Sequence, residues 1–213
     1  MNRSIGMISS FVNGISVIGF AVCMILGFDF GSFIACMFIA FSFVPMISAF
    51  CNKCDSDRIV AGYSAIAFSC IYAVIILLVY FAQVTAVRLD DLNGQAAQII
   101  DYKKFGLFFS YDLLGYGIMA LSTFFIGLTI KSRNRRDKWL KWLLIIHGVF
   151  FISCLIIPML GLFSTDMNGA DWIGVLVLEF WCAYFAPISI LSFLHFKNVD
   201  RFVRRQWSYG KMV

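Results

Sequence analysis

The chain has 213 residues, 61% of them hydrophobic and 14% charged, with a formal net charge of +5. So much apolar surface exceeds what a soluble domain of this length buries, and it predicts an all-α, polytopic membrane helix bundle forming one domain over 1–213. The basic residues cluster in short connections, where the orientation rule of membrane proteins places them, which argues against nucleic acid as a partner.

The first apolar run, 8–28, follows a basic start. It is longer than the apolar core of a signal peptide and no A-x-A pattern follows, so a retained span is expected. Gly6, Ser10 and Gly14 form a small-residue stripe at four-residue spacing, a face on which another helix can approach closely. Asn13, beside that stripe, is expected to hydrogen-bond to a neighbouring helix. Asp29 and Gly31 turn the chain into the second span, 31–50, where Pro45 should introduce a kink. The connection from Cys51 to Arg58 contains a C-x-x-C spacing. A structural zinc site needs four ligands and no second Cys or His pair is near, so Cys51 and Cys54 are read as reduced thiols. None of the seven cysteines falls in a segment expected outside the membrane, and no disulfide framework is predicted.

The third span, 59–87, carries a second stripe, Ala61, Ala65, Ser69 and Ala73, and turns polar at Tyr80, Gln83, Thr85 and Arg88. The one long connection, 88–105, follows. Leu89, Leu92, Ala96 and Ile99 recur at helical intervals there, which predicts an external amphipathic segment in the outer interface, either a surface helix or a lid. The fourth span, 107–130, is apolar apart from Asp112 and a few hydroxyls, and it runs into the densest basic loop, Lys131, Arg133, Arg135, Arg136, Lys138 and Lys141. The fifth, 139–163, opens on Trp139 and Trp142 and has Pro158 near its other end. The sixth, 172–196, contains Glu179 and Pro187 and leads into a basic, aromatic tail.

Of the 17 Lys and Arg residues, only Arg88, Lys103 and Lys104 fall on the side opposite the termini. That bias predicts six transmembrane helices with both ends in the cytoplasm (N-in/C-in). Arg133, Arg135, Arg136, Lys138, Arg204 and Arg205 are then the residues expected to meet anionic lipids at the cytoplasmic face of the bilayer. The two small-residue stripes are surfaces on which a second copy of the chain or another membrane protein could pack.

Asp112 and Glu179 are the only acids inside the spans, and ionisable groups at such positions commonly face the bundle interior and mark a functional pathway. At about 1.5 Å per residue they lie roughly 8–10 Å below the outer surface. Gly115, Tyr116 and Met119 share a face with Asp112. Pro187 frees the carbonyl of Ala183, one turn from Glu179. The candidate ligand- or cation-binding set is Asp112, Glu179, Gln83, Tyr116 and Tyr184. Two carboxylates brought together in low dielectric disfavour double ionisation, which makes a proton or cation site. The alternative is that each acid bonds a neighbouring helix or interfacial water. His147 and His195 fall at different depths, so they are expected to be hydrogen-bonded packing residues rather than haem or metal ligands. With no hydrolase elbow, phosphate-binding loop, zinc-helix pair or dinucleotide fingerprint, no catalytic residue and no cofactor is predicted.

At FFSYDLLGYGIMALSTFFIGLTI, with its D-L-L-G-Y core from Asp112 to Tyr116, the sequence resembles small six-helix integral membrane proteins of bacteria that have no assigned activity. The resemblance implies a multi-pass protein of a bacterial inner membrane and carries over no residue roles. The reading that follows from the residues is binding or transport of a small solute or cation through an outward-facing polar pocket. A non-catalytic accessory or sensory protein, and an intramembrane enzyme acting on lipid or quinone, are the alternatives.

Overall fold

The computed structural model describes residues 1–132, 134–163 and 170–209, with side chains described over 1–132, 134–163 and 172–198. Among these the chain is helical, with no strand. Six helices, Asn2–Ile25, Asp29–Cys51, Ser56–Val87, Leu107–Thr129, Arg135–Met159 and Trp172–Asn198, are long and apolar enough to cross a membrane, the organisation of a multi-pass membrane protein. We label the elements α1 (Asn2–Ile25), α2 (Asp29–Cys51), α3 (Ile59–Ala82), α4 (Gly94–Ile100), α5 (Leu107–Thr129), α6 (Arg135–His147), α7 (Phe150–Met159) and α8 (Ala170–Tyr209).

Arg3 donates through Nε to the carbonyl of Phe196 at 3.0 Å, so the start of α1 and the end of the sixth span meet at one end of the bundle. That end is called basal here and the opposite one distal. The chain turns distally after α1 and again after α7 by the same device. Gly27 and Gly161 adopt φ of 65° and 59°. The next amides, Phe28 and Leu162, bond back to the carbonyls of Cys23 and Ile157, so each helix ends in a Schellman motif.

Both small-residue stripes are used within the bundle. A Cβ on Gly6 would stand 2.8 Å from the Phe196 ring, and one on Gly14 would stand 3.3 Å from Ser189 Cβ, which is how α1 lies close against α8. On α3, Ala65, Ser69 and Ala73 are buried, and Ser122 of α5 donates to the carbonyl of Ala65 at 2.8 Å. Asn13 forms the polar node of the first three-helix contact. Its Nδ2 donates to the Ile39 carbonyl and to Ser42 Oγ on α2, and its Oδ1 accepts from Ser189 Oγ on α8. Interhelical bonds of this kind are modest individually, but three converge here. Asn13→Leu is expected to lower the free energy of unfolding by about 1–2 kcal/mol, because Ser189 and the Ile39 carbonyl lose partners in the core. Titration from mixed micelles into a denaturing detergent measures this directly, and a parent-like midpoint would contradict the assignment.

The helix bounds differ from the sequence expectation in three places. The first helix begins at Asn2, six residues before the apolar run. The fifth span is broken at Gly148 and Val149, where three-residue-spaced bonds, such as Val149 N to the Ile146 carbonyl at 3.0 Å, replace the α-helical ladder. It also starts earlier, at Arg135, because Asn134 caps the helix by accepting the Asp137 amide. The external segment forms a helix only over Gly94–Ile100, followed by a 3₁₀ turn at Tyr102–Lys104. Of its expected apolar face, Leu89 and Ile99 are 66% and 42% exposed, while Leu92 and Ala96 are half-buried. What enters the bundle is the turn after it, through Tyr102.

Of the residues expected to meet lipid headgroups, Arg135, Arg136 and Lys138 are exposed on the first turn of α6. Arg133 lies outside the described residues. The helical backbone of α8 continues through Arg204 and Arg205, but their side chains also lie outside them.

Candidate functional site

Asp112 sits one and a half turns into α5 and is only 1% exposed. Gly115 lets α3 close in on one side, a Cβ there standing 2.9 Å from Ile76 Cδ1, and Gly117 lets α7 approach on the other, 3.2 Å from Cys154 Cβ. The carboxylate is therefore enclosed by α2, α3, α5 and α7 rather than facing lipid. The Tyr80 hydroxyl lies beside it. Its Oδ1 is buried with no hydrogen-bond partner, and so is the hydroxyl of Tyr72. Cys36, Tyr72, Tyr80, Tyr102 and Tyr116 all lie within electrostatic reach of the carboxylate. A buried carboxyl oxygen without a partner is costly.

Tyrosines join these helices into one aromatic wall. The Tyr72 and Tyr116 rings stand 5.8 Å apart, Tyr116 and Trp181 5.0 Å, Tyr80 and Tyr102 6.2 Å, and Tyr102 and Phe109 5.3 Å. The Tyr116 hydroxyl donates to Cys36 Sγ at 3.4 Å. Burial of the Tyr102 hydroxyl, together with the nearby charge of Asp112, pushes its pKa well above the usual phenol range, so it remains an O–H donor at physiological pH.

Gln83 is buried and anchors the turn that carries Tyr102. Its Nε2 donates to the Ile100 carbonyl at 2.9 Å, and its Oε1 accepts the Tyr102 amide at 3.0 Å. It lies in a single π-helical turn, Gln83–Val87, at the distal end of α3. Such turns often occur at functional positions. Gln83 therefore acts as a clamp whose amide is already used.

The other expected members spread apart. Tyr116 belongs to the Asp112 cluster. Tyr184 donates to the Leu143 carbonyl at 2.7 Å and stacks on His147, at the α6–α8 contact. Glu179 is half-buried on α8, its Oε1 enclosed and without a partner. No interaction joins it to Asp112 among the described residues.

His147 has both ring nitrogens occupied. Trp181 Nε1 donates to its Nε2 at 3.1 Å, so its Nδ1 carries the hydrogen and donates to Thr123 Oγ1 at 2.8 Å, while that hydroxyl donates to the Ala120 carbonyl. His195 pairs through Nδ1 with Asp137 Oδ1 at 2.8 Å.

A partly open cavity of about 340 Å³ lies at the distal end, among α1, α2, α5, α7, α8 and the Tyr102 turn. That volume is within the range of small-molecule pockets. Its walls are apolar and aromatic, with Phe33, Phe109 and Phe163 prominent, and Leu113 adjoins Asp112 in the chain. Asp29 and Lys103, which form an ion pair, also line it.

Tyr72 and Tyr102 escaped the sequence reading, which named Tyr80 only at the polar end of the third span. Tyr72 and Tyr80 continue the face marked by Ala65, Ser69 and Ala73, so extending that stripe by helical steps through Ile76 would have joined them. Nothing local marks Tyr102, whose insertion depends on Gln83 nineteen residues earlier. No protein-family model, curated protein or solved structure matches this chain, so the functional reading rests on the chemistry of its own residues.

Proposed function

We propose that this multi-pass membrane protein binds, and moves across the membrane, a small solute or cation that reaches Asp112 from the distal cavity. The observation that carries this reading is the buried Oδ1 of Asp112, left without a hydrogen-bond partner among the described residues and one residue before Leu113 of the cavity wall. An orphaned acceptor in an apolar bundle costs about 1–3 kcal/mol, and a ligand that donates to it recovers that cost as binding free energy. Because the basic residues gather basally, the positive-inside rule makes the cavity face the outside of the cell. The likeness of the Asp112–Tyr116 region to bacterial six-helix proteins supports an inner-membrane location. The accessory-protein reading drew on the small-residue stripes and the basic inner face, and of these the stripes are already occupied by α8 and α5.

The test is thermal unfolding of the detergent-purified protein against a panel of inorganic cations, amines and neutral solutes, beside Asp112→Asn. At least one member is expected to raise the Tm of the parent by several degrees and to leave Asp112→Asn unmoved, since ligand stabilisation grows by mass action only where the site is intact. A panel that shifts both proteins equally would remove Asp112 from the site.

A further inference from the structure

The C-x-x-C pair at the basal end carries chemistry that the Asp112 site does not use. We propose that Cys51 and Cys54 form a dithiol that a low-molecular-weight disulfide oxidises in two steps, entering at Cys54 and closing an internal bond between the two cysteines. The proposal is independent of Asp112 and of the distal cavity.

The backbone brings the two residues together. Cys51 is the last residue of α2, and the amide of Cys54 donates to its carbonyl at 2.9 Å. A turn closed in this way holds its end Cα atoms within about 7 Å of each other, and a disulfide spans Cα atoms about 4.4–6.8 Å apart. The side chains then converge. A Cβ on Gly62 of α3 would stand 2.7 Å from Cys51 Sγ and 3.1 Å from Cys54 Sγ, so both sulfurs are gathered over one point of α3 that a glycine leaves open. The two thiols lie side by side there, and both are reduced. Among the described residues no third Cys, His, Asp or Glu is grouped with them, so the pair falls short of the four ligands of a structural zinc site.

Burial sets the order of events. Cys54 is half-buried and Cys51 only 5% exposed, so an incoming disulfide meets Cys54. The Cys54 sulfur loses its proton and attacks one sulfur of R–S–S–R, forming a mixed disulfide and releasing the first R–SH. Cys51 then attacks the Cys54 sulfur, which closes the internal bond and releases the second R–SH. Two protein thiols are oxidised and one external disulfide is reduced to two thiols. The connection that carries the pair is also where several helices meet. Asn2 of α1 donates to Asn52 at 2.8 Å, Arg58 donates to the Leu128 carbonyl of α5 at 3.2 Å, and the Lys53 ammonium lies 4.7 Å over the Phe196 ring of α8. The basic residues favour the cytoplasm for this end, where such pairs are ordinarily kept reduced, so the bond forms as a response to oxidant.

The test treats the purified protein, in a non-ionic detergent, with oxidised glutathione, labels the remaining thiols with N-ethylmaleimide and maps the peptides by mass spectrometry. In the parent, the peptide holding both cysteines is expected to lose both maleimide labels while carrying no glutathione, and dithiothreitol should restore both labels. Cys51→Ser should keep glutathione on Cys54. In Cys54→Ser, glutathione should reach the buried Cys51 at least about tenfold more slowly. A parent that stops at glutathione on Cys54, keeps both labels, or links either cysteine to another part of the chain overturns the proposal. So does Cys51 reacting in Cys54→Ser as fast as Cys54 does in Cys51→Ser. Should a variant not purify folded, the peptide of the parent decides alone.

Discussion

Gln83→Leu is expected to destabilise the protein by about 2–3 kcal/mol and to release the turn that holds Tyr102. Leucine matches glutamine closely in volume, so the packing of the distal end of α3 survives. The loss is chemical: the Ile100 carbonyl and the Tyr102 amide, which Gln83 serves at 2.9 and 3.0 Å, are left without their partners. Backbone groups held away from water require such partners, and these two are partly buried. Gln83→Glu keeps the acceptor for Tyr102 and loses the donor for Ile100, so its cost should fall between parent and Leu. Hydrogen exchange at the Tyr102 amide is the sharpest readout. Parent-like protection in Gln83→Leu would mean that the turn is held by its aromatic contacts alone.

How much of this was legible in the sequence depends on the range over which each signal acts. The six apolar helices follow from local hydropathy, so they were readable. Rotation of a helix about its axis is set by its partners. Asp112 and Glu179 were expected at similar depths and on one pocket, yet Asp112 turns into the tyrosine cluster while Glu179 is only half-buried on α8. The small-residue stripes were recognised as contact faces. Which helix fills them was not evident, because Gly6 meets a ring 190 residues away, that of Phe196. The apolar period of the external segment was realised only in part, since Ala96 and Ile99 lie on α4 while Leu89 ends the preceding helix, and the turn after it is held by two hydrogen bonds from Gln83.

The basal end holds the remaining large effect. His195→Leu is expected to cost about 3 kcal/mol, because it leaves the carboxylate of Asp137, 5% exposed, without its hydrogen-bond partner on α8. Asp137 keeps one bond, from Asn134 Nδ2 to its Oδ2 at 3.0 Å, and the N-terminal end of α6, which favours negative charge. Neither replaces the imidazole. The pair ties α6 to α8, and the His195 ring lies 5.4 Å from that of Phe50 on α2, so three helices depend on it. The cost should therefore be conditional. In His195→Leu combined with Asp137→Asn, the buried charge is gone, and at least half of the lost stability should return. Unfolding of the two single variants and the double variant in a denaturing detergent gives the coupling energy. Equal losses in His195→Leu and in the double variant would show that His195 acts only by packing. A substantial return would show instead that the bond between His195 and the buried Asp137 carboxylate clasps the basal ends of α6 and α8 together.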